Sequence, residues 1–239
     1  MFINDLPESV KSSVYLFAGD TKIFRRIDGQ HDQEALQSDL NELQNWSNKW
    51  LLKFHPQKCK SMTIHSRYRE HPDTEYYLEK TVDGDIERIQ LEKVKQEKDL
   101  GVTTDDTLTF EKHMLEKVSK ANQIMGLIRR TFVYMDIQNF RWLFKALVRP
   151  HLEYAQSMWS PHRKKDMVMI ENVQRRATKL VPGLKDLSYS ERLKQIDLPT
   201  LVYRRLRGDM IEAYKMLNGR YDSDVTMKLH VREGTYQRK

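Results

Sequence analysis

A single cysteine, Cys59, stands among 239 residues. No disulfide can close within the chain, and a reducing compartment is the expected setting. No run of about 18 apolar residues occurs, so no membrane span is expected. The opening Met-Phe-Ile-Asn-Asp-Leu-Pro is too short and too acidic to read as a secretory leader. Together these predict an intracellular protein, nuclear or cytoplasmic. There is no internal repeat and no low-complexity segment. Apolar residues make up 39% and charged residues 31%, with four Trp, eleven Tyr and eight Phe. That composition excludes a disordered chain and fits one large or two small packed domains.

Acidic residues are scarce in only one part of the chain. Residues 1–109 carry 15 Lys/Arg against 20 Asp/Glu, whereas residues 110–220 carry 22 against 11. An acidic front and a basic back imply two modules with different partners. Basic helices that are merely well solvated give the same count.

The patterning divides at the same place and predicts an α+β fold. In residues 1–108, strand-like stretches flank a tight turn carrying Gly19 and Asp20. A helix follows, with Asp32 as N-cap, Leu36, Leu40, Leu43, Trp46 and Trp50 inward, and a stop at Phe54-His55-Pro56. Lys60 to His65 reads as a strand. Tyr76 to Val82 and Ile86 to Leu91 flank Asp83-Gly84, a hairpin signal. Residues 109–220 read as helices throughout. The first is capped by Thr109, with Leu115, Val118, Ala121, Met125 and Ile128 inward. The second opens at Asp136, with Phe140, Leu143, Phe144 and Leu147 inward and a break at Pro150. Met167, Ile170, Val173, Ala177 and Leu180 stripe the third. Ser188 and Glu191 form a capping box before the fourth, and Thr200 to Asn218-Gly219 bounds the fifth. Residues 221–239 have no apolar period and are expected to fray.

Several segments, in order, carry a resemblance. Residues 15–24 read Tyr-Leu-Phe-Ala-Gly-Asp-Thr-Lys-Ile-Phe, preceded by Ile3-Asn4-Asp5-Leu6-Pro7. After them come Trp46-Ser47-Asn48-Lys49-Trp50-Leu51-Leu52-Lys53-Phe54, Pro56 and Lys58-Cys59-Lys60, then Lys98-Asp99-Leu100-Gly101-Val102. Glu171-Asn172-Val173-Gln174-Arg175-Arg176-Ala177-Thr178-Lys179 and Leu198-Pro199-Thr200 through Arg204-Arg205 complete the series. This order, over roughly residues 2 to 220, resembles the reverse transcriptases of LINE-type (non-LTR) retrotransposons, in their jockey and chicken-repeat branch. The resemblance implies a partial palm at 1–108 (hairpin, helix and short antiparallel strands) and an all-helical thumb-like bundle at 109–220.

It also implies a chemistry. Nucleotidyl transfer uses two Mg²⁺ ions about 4 Å apart, held by carboxylates placed close together. The family's hairpin reads Phe-Ala-Asp-Asp-Thr-Lys. Asp20 would be the surviving metal ligand and catalytic residue, with Gly19 at the lost one. Only 19 residues precede Asp20, too few for the upstream strand and the fingers, and Asp5 in its loop-like setting is no evident substitute. This stretch is therefore expected to lack RNA-directed DNA polymerase activity by itself. Lys58 or Lys60 would approach the incoming triphosphate, and Leu100, Gly101 and Val102 the primer backbone, where glycine permits close contact. Arg129, Arg130, Arg175, Arg176, Lys179, Arg204 and Arg205, with Arg163-Lys164-Lys165 and Arg207, are candidates for the backbone of RNA template, RNA–DNA hybrid or duplex DNA. Some of these arginines are expected to pair with Glu171 or Asp209 instead. A non-catalytic nucleic-acid-binding module derived from the thumb, or a decayed element product without a role, are the alternatives.

Three groups are set aside. Asp105-Asp106 reads as a strand-ending turn. His55, Cys59 and His65 fit no standard zinc spacing. Met167-Val168-Met169 reads as core filler.

Overall fold

The computed structural model describes residues 2–66, 68, 73–82, 85–222 and 226. Helices and short strands form two compact units. The first comprises Met1–Asp99 with Thr104–Leu108, the second Leu100–Thr103 with Thr109–Lys239. Among the described residues no helix is long and apolar enough to cross a membrane. The Asp83-Gly84 turn and most of residues 221–239 lie outside the described residues.

In the first unit a 3-10 turn, Phe2–Ser9, leads into strand β1 (Ser13–Phe17), strand β2 (Asp20–Phe24) and helix α1 (Gln30–Trp50). Strands β3 (Lys60–Ser61), β4 (Tyr77–Val82), β5 (Asp85–Gln90), β6 (Glu92–Lys93) and β7 (Gln96–Asp99) follow, and β8 (Val102–Asp105) is divided between the two units. Among the described residues they pair two by two: β1 with β2 and β4 with β5 antiparallel, β3 with β6 parallel, and β7 with β8. Of the strand expected at Lys60–His65, only the first two residues pair.

Alternation in β1 and β2 turns Val14, Leu16 and Ile23 inward, onto the apolar stripe of α1. Leu40, Leu43 and Trp46 are buried there with Leu6, Tyr76, Leu78 and Leu91. Burying each such side chain contributes roughly 1.5–3 kcal/mol.

Both ends of α1 differ from expectation. Its N-cap is Gly29, and Asp32 sits in the first turn, where its carboxylate accepts the Asp28 N–H at 3.0 Å. That bond holds the Asp32 carboxyl below its ordinary pKa. The helix ends at Leu51, whose φ of 57° breaks the ladder before Pro56 is reached.

Asp39 is a buried carboxylate on α1 that receives the backbone N–H groups of Lys11 (3.0 Å) and Ser12 (2.9 Å). Burial opposes its charge, but the Ser12 and Lys11 bonds outweigh burial and keep its pKa low.

The second unit has the larger core. Helix α2 (Glu111–Thr131) is followed by α3 (Ile137–Leu143), a π-helical turn (Phe144–Val148), α4 (Arg149–Glu153) and α5 (Gln156–Trp159). Then come α6 (Lys164–Ala177), α7 (Tyr189–Ile196) and α8 (Leu201–Leu217). Phe140, Phe144, Val148, Leu152, Trp159, Ile170 and Val173 are almost wholly enclosed.

Two positions expected inside lie outside. Met114 replaces Leu115 at the head of the α2 stripe, because 114, 118, 121, 125 and 128 keep one phase. Val148 replaces Leu147 because the π turn adds a residue and rotates the stripe. Phe110, at φ 53°, is the N-cap of α2 instead of Thr109. The Asp136 cap and the Ser188–Glu191 capping box form as expected, as does the Thr200 cap. Helix α8 buries only Leu201 and Arg205; Tyr203, Leu206, Met210, Tyr214 and Leu217 stay exposed.

Candidate nucleic-acid interface and the Gly19–Asp20 hairpin

The β1–β2 register pairs Phe17 with Asp20, leaving Ala18 and Gly19 as the connecting residues. Ala18, not Gly19, takes the left-handed conformation, at φ 52°. A Cβ added to Gly19 would meet nothing within 4 Å. Neither backbone nor packing therefore demands glycine at this position. Asp20 opens β2 on its exposed face, with Tyr15, Phe17 and Phe24. Tyr15 stacks on Phe24 with ring centroids 5.0 Å apart. Lys22, on the same face, forms an ion pair with Asp99.

A Mg²⁺ pair needs several carboxylates held close together. Among the described residues no three His, Cys, Asp or Glu side chains converge on a point where a metal could be held. Asp5 accepts the Trp46 indole N–H at 3.1 Å, so it is engaged in packing. One exposed carboxylate does not fit a two-metal centre.

The groups set aside on sequence grounds have structural partners. Asp105 is buried and accepts from the Thr107 N–H and hydroxyl. Cys59 donates its backbone N–H to His55 and Pro56, and burial pushes its thiol pKa up.

The two lysines near the triphosphate segment differ. Lys58 is exposed at the end of a 3-10 turn, Pro56–Lys58. Lys60 pairs with Glu97 at 2.8 Å, a bond that raises its pKa.

Leu100 and Gly101 form the two-residue connection between β7 and β8, at φ 44° and 83°. This double left-handed geometry suits a tight hairpin. Tyr154, just past α4, donates its hydroxyl to the Leu100 carbonyl at 2.8 Å. A Cβ on Gly101 would stand 3.4 Å from the Tyr154 ring, an ordinary contact, so it is the φ of 83° that calls for glycine. Val102 is 2% exposed in the core, and the Thr103 N–H is accepted by Nδ1 of buried His113 at 3.1 Å. These contacts tie residues 100–103 to the second unit.

The basic positions of the second unit fall into two sets. Arg129, Arg130, Arg175, Arg176 and Lys179 are all exposed. Lys165 donates to Glu111 at 3.0 Å and Arg176 to Asn122 at 3.1 Å, each across 54 residues. The equal offset makes α2 and α6 parallel; Arg175 and Arg176 stand in the last turn of α6, beside Asn122, and Arg129 and Arg130 in the last turn of α2 further along. Cations there also complement the helix dipole.

Arg204 and Arg205 form the other set. Arg204 grips both oxygens of Glu153, which raises its pKa. Arg205 is 4% exposed; burial lowers its pKa against the pull of Glu171, Glu153 and Asp209.

The Glu171–Lys179 segment divides in the same way. Its buried carboxylate, Glu171, accepts the Leu201 N–H at 3.3 Å and the Val202 N–H at 3.1 Å, completing the first turn of α8. It also accepts the Tyr189 hydroxyl; burial and that bond push the tyrosine pKa well up. Gln174, 1% exposed, donates to the Pro199 carbonyl at 2.9 Å and to the Tyr189 hydroxyl. On the outer side Arg175 lies over the Tyr189 ring at 4.7 Å. Sequence reasoning missed the Glu171–Gln174 role. The signal was two polar residues on the helix face that also carries Ile170, Val173 and Ala177.

Comparisons with known proteins agree with the motif resemblance. The chain is similar to RNA-directed DNA polymerases encoded by transposable elements. It is 24% identical over 157 residues to the RNA-directed DNA polymerase from mobile element jockey of Drosophila funebris, covering 63% of this chain and 16% of the relative. Against the probable RNA-directed DNA polymerase from transposon X-element of Drosophila melanogaster it is 20% identical over 196 residues, 77% of this chain and 20% of that protein. Against the probable enzyme from transposon BS of the same fly the figures are 27% over 150 residues, 62% and 16%. The chain thus spans a sixth to a fifth of the length of these curated relatives. No family model and no solved structure matches.

Proposed function

We propose that these residues are a palm-and-thumb portion of a retrotransposon reverse transcriptase that grips nucleic acid but does not polymerise. The first unit takes the place of the palm and the second that of the thumb. The observation that carries the reading is the similarity to three transposon polymerases over 62–77% of the chain. The exposed cations Arg129, Arg130, Arg175, Arg176 and Lys179 supply a sequence-independent attraction for the backbone of an RNA template, an RNA–DNA hybrid or duplex DNA. Lys58 is the freer of the two lysines to meet a triphosphate, because Lys60 is engaged with Glu97. The Leu100–Gly101–Val102 turn approaches the primer strand. Asp20 contributes a single carboxylate where the parent chemistry uses Mg²⁺ held by several, and Gly19 contributes none.

Binding without catalysis is the reading that Gly19 supports, since it stands where the family's hairpin carries an aspartate. Primer extension on a primed RNA template with Mg²⁺ is the test. No incorporation is expected from this chain or from its Gly19→Asp variant, while a labelled RNA–DNA hybrid binds with salt-sensitive affinity. Detectable extension by the unaltered chain would overturn the inactive assignment, and absence of hybrid binding would overturn the grip.

A further inference from the structure

Helix α8 turns its charged side toward the bundle and its apolar side outward. Leu201 and Arg205 are buried, and Glu171 closes the first turn through the Leu201 and Val202 N–H groups. Gly208 lies against α5, where an added Cβ would collide with the Gln156 side chain. These contacts fix the rotation of the helix. On the outer side Tyr203, Leu206, Met210, Tyr214 and Leu217 recur at intervals of three and four residues, each between 51% and 74% exposed. That spacing makes a narrow seam about 21 Å long at 1.5 Å per residue. Beside its start, a groove of about 400 Å³ between α5 and α8 is bordered by Ala155, Pro199, Tyr203, Arg207 and Ile211. Apolar side chains scattered singly are ordinary on a surface; a continuous stripe of five marks a contact face.

Charge selects among the occupants. Of the exposed residues from Tyr203 to Tyr221, only Arg207 and Arg220 are charged. Neither has an ion pair among the described residues. The carboxylates nearby are engaged: Glu153 binds Arg204 and Arg149, Glu212 binds Lys215, and Asp209 faces the Ser160 hydroxyl. A second copy of α8 would bring the same two arginines and no exposed carboxylate to meet them. A phosphate backbone would satisfy the arginines but leave five apolar side chains in water. A helix with apolar residues at matching intervals and Asp or Glu beside them satisfies both.

We propose that the outer face of α8 is a docking surface for an amphipathic helix of another protein, one whose apolar seam is flanked by acidic residues. Leu206, Met210, Tyr214 and Leu217 supply the seam, and Arg207 and Arg220 set the charge preference. The surface is independent of the cations on α2 and α6, and Arg207 serves it rather than a phosphate.

Two fluorescently labelled peptides of about 20 residues test this, both with Leu at the seam positions, one flanked by Glu and the other by Lys. Titrated by anisotropy against the full chain, the Glu-flanked peptide should bind at least about tenfold more tightly. Met210→Ser/Leu217→Ser should weaken it roughly tenfold or more, with an unchanged far-UV spectrum because both side chains are exposed. Arg207→Glu/Arg220→Glu should reverse the preference, a result that no folding defect produces.

Equal binding of the two peptides, or binding of neither, would overturn the proposal. A dimer of the unaltered chain in sedimentation, abolished by Met210→Ser/Leu217→Ser, would assign the face to a second copy and overturn it. Binding to phosphatidylcholine–phosphatidylserine vesicles that the same variant loses would overturn it in favour of a lipid surface. Loss of RNA–DNA hybrid binding in Arg207→Glu/Arg220→Glu, with peptide binding unaltered, would assign the arginines to nucleic acid and overturn their role here.

Discussion

The two units use their charges differently. In the first, cations meet anions of the same unit: Lys22 with Asp99, Lys60 with Glu97, Lys93 with Asp73. In the second, the cations outnumber the carboxylates, and the carboxylates that are buried serve backbone groups and arginines inside. Glu171 completes the start of α8, and Glu153 binds Arg204. What remains outside is a surplus of positive charge along α2 and α6. Net charge alone would have treated Arg205 and Arg175 alike. Burial separates a cation enclosed in the interior from one available to a phosphate.

That contrast can be broken from either side. The largest effect is expected in the core of the second unit. Phe144→Ala should cost about 3–5 kcal/mol in chemical denaturation, because the ring is wholly buried and its loss leaves a cavity in the core. Next, Glu171→Gln should cost about 2–3 kcal/mol, since an amide cannot replace a carboxylate that accepts two backbone N–H groups and a tyrosine hydroxyl. In the first unit, Asp39→Asn should cost about 1–2 kcal/mol. Because the folded pKa of Asp39 lies below its ordinary value, its stabilisation is complete above that value and is lost as pH falls through the folded one. The variant should accordingly show a flatter acid limb in stability measured against pH.

Smaller effects sharpen the comparison. Lys117→Gln should let the His151 pKa rise, by removing one of the positive charges that depress it, as an NMR pH titration of the imidazole would show. The native His151 is depressed, so its contribution to stability is present above the unfolded value and declines as pH drops below it. Gly19→Asp should change stability by no more than about 0.5 kcal/mol, because the position is open and carries no positive φ. A large loss there would show that the hairpin needs its glycine.

The elements that were legible in the sequence are those fixed by short-range chemistry. The Ser188–Glu191 box, the Asp136 and Thr200 caps, and the α1 stripe through Leu40, Leu43 and Trp46 all depend on residues three or four apart. What escaped depends on distant partners or broken periodicity. The π turn rotates the stripe from Leu147 to Val148, and no local composition announces it. Leu51 ends α1 in a left-handed conformation usually left to glycine. Tyr154 reaches Leu100 across 54 residues, a contact that spacing rules do not address. Within the candidate interface, residue type identified the basic positions, but only packing distinguishes Arg205 inside from Arg175 outside.

The most direct test of the account is the salt dependence of RNA–DNA hybrid binding, compared between the unaltered chain and Arg175→Glu/Arg176→Glu. The account predicts a steep linear fall of log affinity with log salt for the unaltered chain, and a much weaker, flatter response for the variant. Equal affinity and equal slope in the two proteins would contradict it.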